Sequence, residues 1–225
     1  MHEDLPILQA SNIHKSFENP LPTQILKGVE LKVTKGESIA IMGRSGEGKS
    51  TLLNILGTLE SSSFGQLTIG GLKVSAFNRS RIRNEHIGFV FQSFHLFYDL
   101  SVIENVLMPA KIARKSTKAN SYSWNRAQSL IKEVGLEDRA HYQAKLLSGG
   151  EKQRTAIARA LCNDPDIILA DEPTGNLDKK TADSIHELLL NYSKKFQKTL
   201  IIVTHNQELA SLCDRSLVLE NGVLI

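Results

Sequence analysis

The octapeptide GRSGEGKS, Gly43 to Ser50, constrains this chain more than any other segment. It satisfies G-x-x-x-x-G-K-[ST] in full. It lies between a short apolar run, Ser38 to Met42, and a helical pattern from Lys49 to about Leu59 with Leu52, Ile55, Leu56 and Leu59 on one face. In a strand–loop–helix of this kind Gly43, Gly46 and Gly48 let backbone N–H groups wrap a phosphate without a Cβ clash. Arg44, Ser45 and Glu47 complete the loop. Lys49 is placed to reach the β- and γ-phosphates of a nucleotide, Ser50 to ligate Mg²⁺, and Thr51 to open the helix. Glu47 brings a carboxylate near the phosphates and is expected to point outward, because the loop needs only its backbone N–H.

The rest of the chain reads as strands and helices arranged around that unit. Leu5 to Ser16 reads as a strand broken by Asn19-Pro20-Leu21-Pro22. Val29, Leu31 and Val33 alternate, which buries one face of a second strand. Gly65 to Ile69 with Gly70-Gly71 makes one arm and the turn of a hairpin, and Ile87 to Phe91 is an apolar strand ending at Gln92. Leu100 to Ile112 and Asn125 to Val134 read as helices joined by an exposed polar loop, Ala113 to Ser123. Downstream, the pattern predicts a helix after Leu147, a strand Ile167 to Ala170, a helix from about Thr181 to Lys195, a strand Thr199 to Val203 and a short helix Asn206 to Asp214. A terminal hairpin turning at Asn221-Gly222 closes the chain. The alternation predicts a mostly parallel α/β sheet.

A second glycine-centred segment, LSGGEKQR from Leu147 to Arg154, stands directly before a helix. Ser148, Gly149 and Gly150, with Glu151 behind them, combine a hydroxyl, bare backbone and a helix N-terminus, which is an anion site. One small chain with two phosphate-reading segments suggests two copies, each reading the other's nucleotide. Asp171 and Glu172 end an apolar strand. An acidic pair there is often a surface turn, but beside a phosphate loop the first carboxylate can hold Mg²⁺ and the second can orient water or take its proton. His205 and Gln92 also follow strands, placed to reach the γ-phosphate and the metal or attacking water. Phe17 could stack on a purine ring, with core packing as the alternative.

Bulk properties exclude several classes. The 225 residues suffice for one domain with an appendage, and 41% apolar with 23% charged residues is ordinary for a globular protein. A net charge of +3 argues against nucleic acid as a partner. Cys162 and Cys213 sit alone in helical patterns, without metal-type spacing, and are expected to be buried reduced thiols. No run approaches the roughly 18 apolar residues of a membrane span. The N-terminus lacks signal-peptide regions, so membrane association is expected only through a partner.

Together these residues resemble the nucleotide-binding subunits of ATP-binding cassette (ABC) transporters over nearly the whole chain. The resemblance implies a P-loop NTPase (RecA-like) core, residues 1–92 and 147–225, with an N-terminal antiparallel β subdomain and an α-helical subdomain at 93–146, all within a single domain 1–225. It implies an ATPase using ATP and Mg²⁺. Phe17 matches the adenine-stacking aromatic, Gly43 to Thr51 the Walker A loop, and Gln92 the Q-loop. Leu147 to Arg154 matches the signature motif, Asp171 and Glu172 the end of Walker B, Asn176-Leu177-Asp178 the D-loop, and His205 the switch histidine. Metal ligands would be Ser50, Gln92 and Asp171, and the catalytic groups Glu172, His205 and Gln92. The family works as a dimer packed head to tail, with Ser148 to Glu151 of one subunit closing on the other's ATP. Two integral membrane subunits would dock near Phe91 to Pro109, holding the chain peripherally at the cytoplasmic face of the bacterial inner membrane. DEPTGNLD, Asp171 to Asp178, and the elements of Phe91 to Pro109 are most similar to ATPases of lipoprotein-releasing systems, although Phe97-Tyr98 depart from the Leu-Pro expected there. ATPases of macrolide or peptide exporters and of cell-division complexes share the chemistry. A soluble ABC ATPase of DNA repair or translation would carry a long coiled-coil insertion or tandem cassettes. Phe94, Phe97 and Tyr98 read either as core or as a socket for a membrane partner, with Asp99 and Glu104 as charged neighbours.

Overall fold

A computed structural model describes residues 6–18 and 21–225. Leu5, Asn19 and Pro20 lie outside the described residues. The chain runs β1 (Leu8–Phe17), β2 (Thr23–Val33), β3 (Ser38–Met42), α1 (Lys49–Leu56), β4 (Phe64–Ile69), β5 (Leu72–Lys73), α2 (Arg79–His86) and β6 (Ile87–Phe91). It continues through α3 (Val102–Ile112), α4 (Tyr122–Glu133), α5 (Gly149–Ala160), β7 (Ile167–Asp171), α6 (Lys179–Phe196), β8 (Thr199–Val203), α7 (Gln207–Ser211), β9 (Arg215–Glu220) and β10 (Val223–Leu224).

Two sheets form. The antiparallel one has the order β2-β1-β4-β5, and the six-stranded one β10-β9-β3-β8-β7-β6, parallel from β9 to β6. Strand β7 up to Asp171 and β8 after Thr199 are apolar because both their faces are covered. Successive side chains of a strand point to opposite faces, and here that alternation divides the interior. Ile167, Leu169, Ile201 and Val203 join a core with α1 and the antiparallel sheet. Ile168, Ala170, Leu200 and Ile202 join another with α3, α4, α5 and α6.

Helix starts follow side-chain caps. Ser101 and Glu104 form a reciprocal capping box on α3, Ser148 and Glu151 another on α5, while Ser121, Asp178 and Asn206 cap α4, α6 and α7.

Several expectations need correction. Helix α1 stops at Leu56 because Gly57 ends it and Thr58 turns left-handed with φ 60°; Leu59 is therefore 45% exposed rather than on the buried face. Helix α2 lies where only strands and turns were expected, for it buries a single side chain, Ile82, and shows no apolar stripe. The Ser121 cap starts α4 at Tyr122, three residues early, and takes Ser123 out of the polar loop into a buried position. Helix α7 ends at Ser211, three residues short of the expected Asp214. Both cysteines are free but lie just beyond helix ends, and Cys213 is only half-buried.

Candidate functional site

One cavity of about 520 Å³ gathers residues from six separate stretches of chain: Phe17, Ile25, the loop residues Gly43, Ser45, Gly46, Gly48, Lys49, Ser50 and Thr51, Gln92, Asp171 with Glu172, Val203, and His205. They meet because β1, β3, β6, β7 and β8 all end there, and ligands of open α/β sheets bind beyond the strands' carboxyl ends.

The loop geometry rests on backbone freedom at Gly48. It has φ 94°, and a Cβ there would sit 2.4 Å from Ile25 Cγ2, so neither conformation nor space admits a side chain. Gly48 offers no capping group to α1, which leaves the first-turn N–H groups for an anion. Lys49 Nζ donates to the carbonyls of Gly43 and Arg44, both at 2.8 Å, which centres its ammonium in the loop. Arg44 and Glu47 do not line the cavity. Glu47 turns outward as expected, and its Oε2 accepts the backbone N–H of Asn221 at 2.7 Å, tying the loop to the β9–β10 turn.

At the end of β7 the two carboxylates differ. Asp171 Oδ1 is buried with no hydrogen-bond partner. Burial, aided by the neighbouring Glu172 charge, pushes the Asp171 pKa up, opposed by a Ser50 hydrogen bond and by Lys49. A buried, unpaired carboxylate oxygen beside a hydroxyl is a donor set that suits a hard cation. Among the described residues no three His, Cys, Asp or Glu side chains cluster as a metal nest. Glu172 has left-handed backbone, φ 42°, and its N–H donates to Val203 O at 2.9 Å, fixing it against β8. His205 Nδ1 lies 2.9 Å from Glu172 Oε1, and Thr204 Oγ1 donates to Oε2 at 3.5 Å. With Nδ1–H on the carboxylate, Nε2 is the ring atom left for another partner.

Phe17 is 39% exposed, with the Lys15 ammonium 4.9 Å from its ring centroid. Gln92 packs against Gly175, and its carbonyl accepts from Asn176 Nδ2 at 3.3 Å, so the loop after β6 touches the loop after β7.

Ser148 to Glu151 are not in this cavity. The Ser148 hydroxyl donates to Glu151 Oε2 at 2.8 Å, and Arg139 Nε holds Glu151 Oε1 at 3.1 Å. Hydrogen bonds from Ser148, first from its backbone N–H, and then from Arg139 hold the Glu151 pKa below the ordinary range.

A groove of about 790 Å³ lies elsewhere, lined in part by Phe89, Phe91, Phe97, Met108, Pro109 and Ile112. Phe97 is 54% exposed, whereas Phe94 packs on the core and Tyr98 sits under the Lys152 ammonium at 5.5 Å. Glu104 is not a free surface charge, because the Ser101 box holds it.

The sequence reading missed Gln153 and His186. Both are buried, at 0% and 4% exposure. Gln153 Nε2 donates to Pro173 O at 2.6 Å, and His186 Nε2 shares a 2.8 Å hydrogen bond with Thr174 Oγ1. The signal was present: Gln153 lies three and four residues before Ala156 and Ile157, and His186 three and four before Leu189 and Leu190, each on a buried helical face.

Comparison with known proteins agrees with this geometry. The family model described as "ABC transporter" matches residues 26–175. The lipoprotein-releasing system ATP-binding protein LolD of Protochlamydia amoebophila (strain UWE25) is 57% identical over 218 residues, covering 97% of this chain and 96% of that protein. The dimeric structure of MJ0796, a bacterial ABC transporter cassette, superposes with TM-score 0.86 at 39% identity, covering 96% of each chain. A dimeric post-hydrolysis state of the same cassette, bound to ADP and Pi, gives TM-score 0.86 at 38% identity over the same shares. A P-loop cavity assembled from strand ends, a capped signature helix outside it, and likeness to such cassettes over 96% of the chain lead to one conclusion: the chain belongs to the ATP-binding proteins of ABC transporters.

Proposed function

We propose that this chain hydrolyses ATP for a complex that releases lipoproteins from the bacterial cytoplasmic membrane toward a periplasmic carrier. The ATPase reading is carried by the convergence of Lys49, Asp171, Glu172 and His205 on one phosphate loop. The cargo follows from the lipoprotein-releasing relative, alike from end to end.

In this reading the ATP phosphates lie on Gly43 to Thr51, with Phe17 against the base. Ser50, Asp171 and Gln92 would hold Mg²⁺, which when bound screens phosphate charge. Lys49 draws charge from the β- and γ-phosphates. Glu172 orients the attacking water and accepts its proton, held by Val203 and His205, whose Nε2 is left for a γ-phosphate oxygen. Such catalysis is mainly positioning and electrostatics. The cavity of one chain lacks Ser148 to Glu151, so the site is completed by a second copy packed head to tail, giving a homodimer with two composite sites. We treat residues 93–146 as a helical unit within the single domain 1–225.

Attachment to the membrane is peripheral in this reading. Among the described residues no helix is long and apolar enough to cross a membrane. Two integral membrane subunits would instead seat on the groove at Phe97, Met108 and Ile112. Proteoliposomes holding the membrane subunits that co-purify with this chain test the whole reading. ATP should release a bound lipoprotein, and Ile112→Glu should abolish release while basal ATPase persists. Release of another cargo class, or full release with Ile112→Glu, contradicts it.

A further inference from the structure

The loop after Glu172 is tied down at consecutive residues by buried side chains from two helices. Gln153 of α5 holds the Pro173 carbonyl, and His186 of α6 holds the Thr174 hydroxyl. The loop then runs to the signature segment: Leu177 Cδ2 would lie 3.2 Å from a Cβ at Gly149, and Thr181 Cγ2 2.7 Å from one at Gly150, so a side chain at either glycine would force its loop neighbour to shift. Asp178, capping α6 through the Thr181 N–H at 3.1 Å, fixes that end. One short loop thus joins the carboxylate of one site to the helix whose Ser148 serves the other. Gln153, five residues after Ser148 on the same helix, grips the loop's first residue.

Gln153 Oε1 is buried with no partner, so this amide makes one hydrogen bond and leaves its oxygen unsatisfied. An apolar side chain would avoid that cost. Filling the core therefore does not by itself call for an amide here. The one bond it makes is to the residue next to Glu172.

We propose that Gln153 and His186 are positioning residues for hydrolysis, and that through Gln153 the signature helix of each chain sets the geometry of that chain's own Glu172. The inference rests on the composite-site reading above. Neither side chain touches nucleotide; each acts through the Pro173–Thr174 backbone. A catalytic group displaced by about 1 Å can lose on the order of a hundredfold in rate.

The test uses the full-length chain with Mg·ATP. Gln153→Met keeps volume and removes the donor; Thr174→Val removes the second tether from the loop side. Both should lower kcat by roughly tenfold or more with KM within about twofold, because binding energy is retained and only the reacting geometry is lost. In a Glu172→Gln background, Gln153→Met should still form the ATP-bound dimer, since Lys49 and Ser148 are intact. Wild-type kcat in both variants overturns the proposal. So does loss of the dimer with Gln153→Met alone, because Gln153 would then be shaping the signature motif rather than Glu172. Should Glu172→Gln itself fail to dimerise on ATP, the composite-site reading falls and the proposed link between sites falls with it, while the kcat–KM split still decides whether Gln153 positions Glu172.

Discussion

Replacing Glu172 by glutamine isolates one chemical change. The residue has φ 42°, and a left-handed backbone costs a residue with a side chain about 1–2 kcal/mol, the same for Glu as for Gln. Volume is conserved, and a glutamine oxygen can still accept from His205. What disappears is the negative charge and the capacity to take a proton from water. The Glu172 side chain is only 19% exposed, so bulk solvent is a poor substitute base. A positioned general base contributes about 10²- to 10⁴-fold, which at about 1.36 kcal/mol per decade is roughly 2.7–5.4 kcal/mol of barrier. Phosphate release at saturating Mg·ATP should therefore fall at least a hundredfold. The melting temperature should shift little, and gel filtration with ATP should show a species of twice the mass. Turnover within about tenfold of the parent would refute the assignment of Glu172 as base.

Other outcomes follow from the same geometry. Because burial raises the Asp171 pKa, its ionised form opposes folding at neutral pH; Asp171→Asn should raise the melting temperature without nucleotide yet abolish hydrolysis, and an unchanged or lower melting point contradicts this. Burial lowers the His186 pKa, with Asp183 and Glu208 opposing, so the unfolded chain binds the extra proton first. Its contribution to stability is complete above about pH 6.5, the unfolded value, and is lost as pH falls through the lower folded one. Urea midpoints from pH 7.5 down to 5 should show that slope in the parent and a flatter one in His186→Gln. Ser148→Ala removes a helix cap, for a loss of about 1 kcal/mol in chemical denaturation. It should also prevent the ATP-bound dimer even beside Glu172→Gln; a surviving dimer would count against Ser148 as the contact across the interface.

The sequence was most legible where one residue type has one use. Gly43 to Ser50 placed the phosphate loop, and the apolar runs at 38–42, 167–170 and 199–203 placed buried strands, because covering both faces of a strand requires that composition. It was least legible where structure depends on a partner distant in the chain. Helix α2 buries Ile82 alone and is otherwise held by hydrogen bonds such as Arg83 to Thr58 and Asn163 to Asn84, and no local pattern announces it. Glu47 was expected to point outward, but nothing local named its partner, the Asn221 N–H 174 residues along the chain. The pairing of Glu172 with His205 joins two strand ends that sequence could only mark separately. Gln153 and His186 were hidden differently: polar letters inside apolar faces are easily passed over, although that misfit is what marked them.

The partition of the interior by the parallel sheet has a consequence for how the protein responds to change. Ile168 and Leu169 are adjacent in the chain, yet each side chain belongs to a different core. Losses of packing at the two should add, as for remote sites, whereas Ile168 with Ile202, which share a core, should couple. Covalent neighbourhood in β7 is thus a poor guide to energetic neighbourhood. Packing changes in α3 and α4 on one side should therefore spare the core behind α1 and the phosphate loop, whereas α5 and α6 keep their buried ties to Pro173 and Thr174.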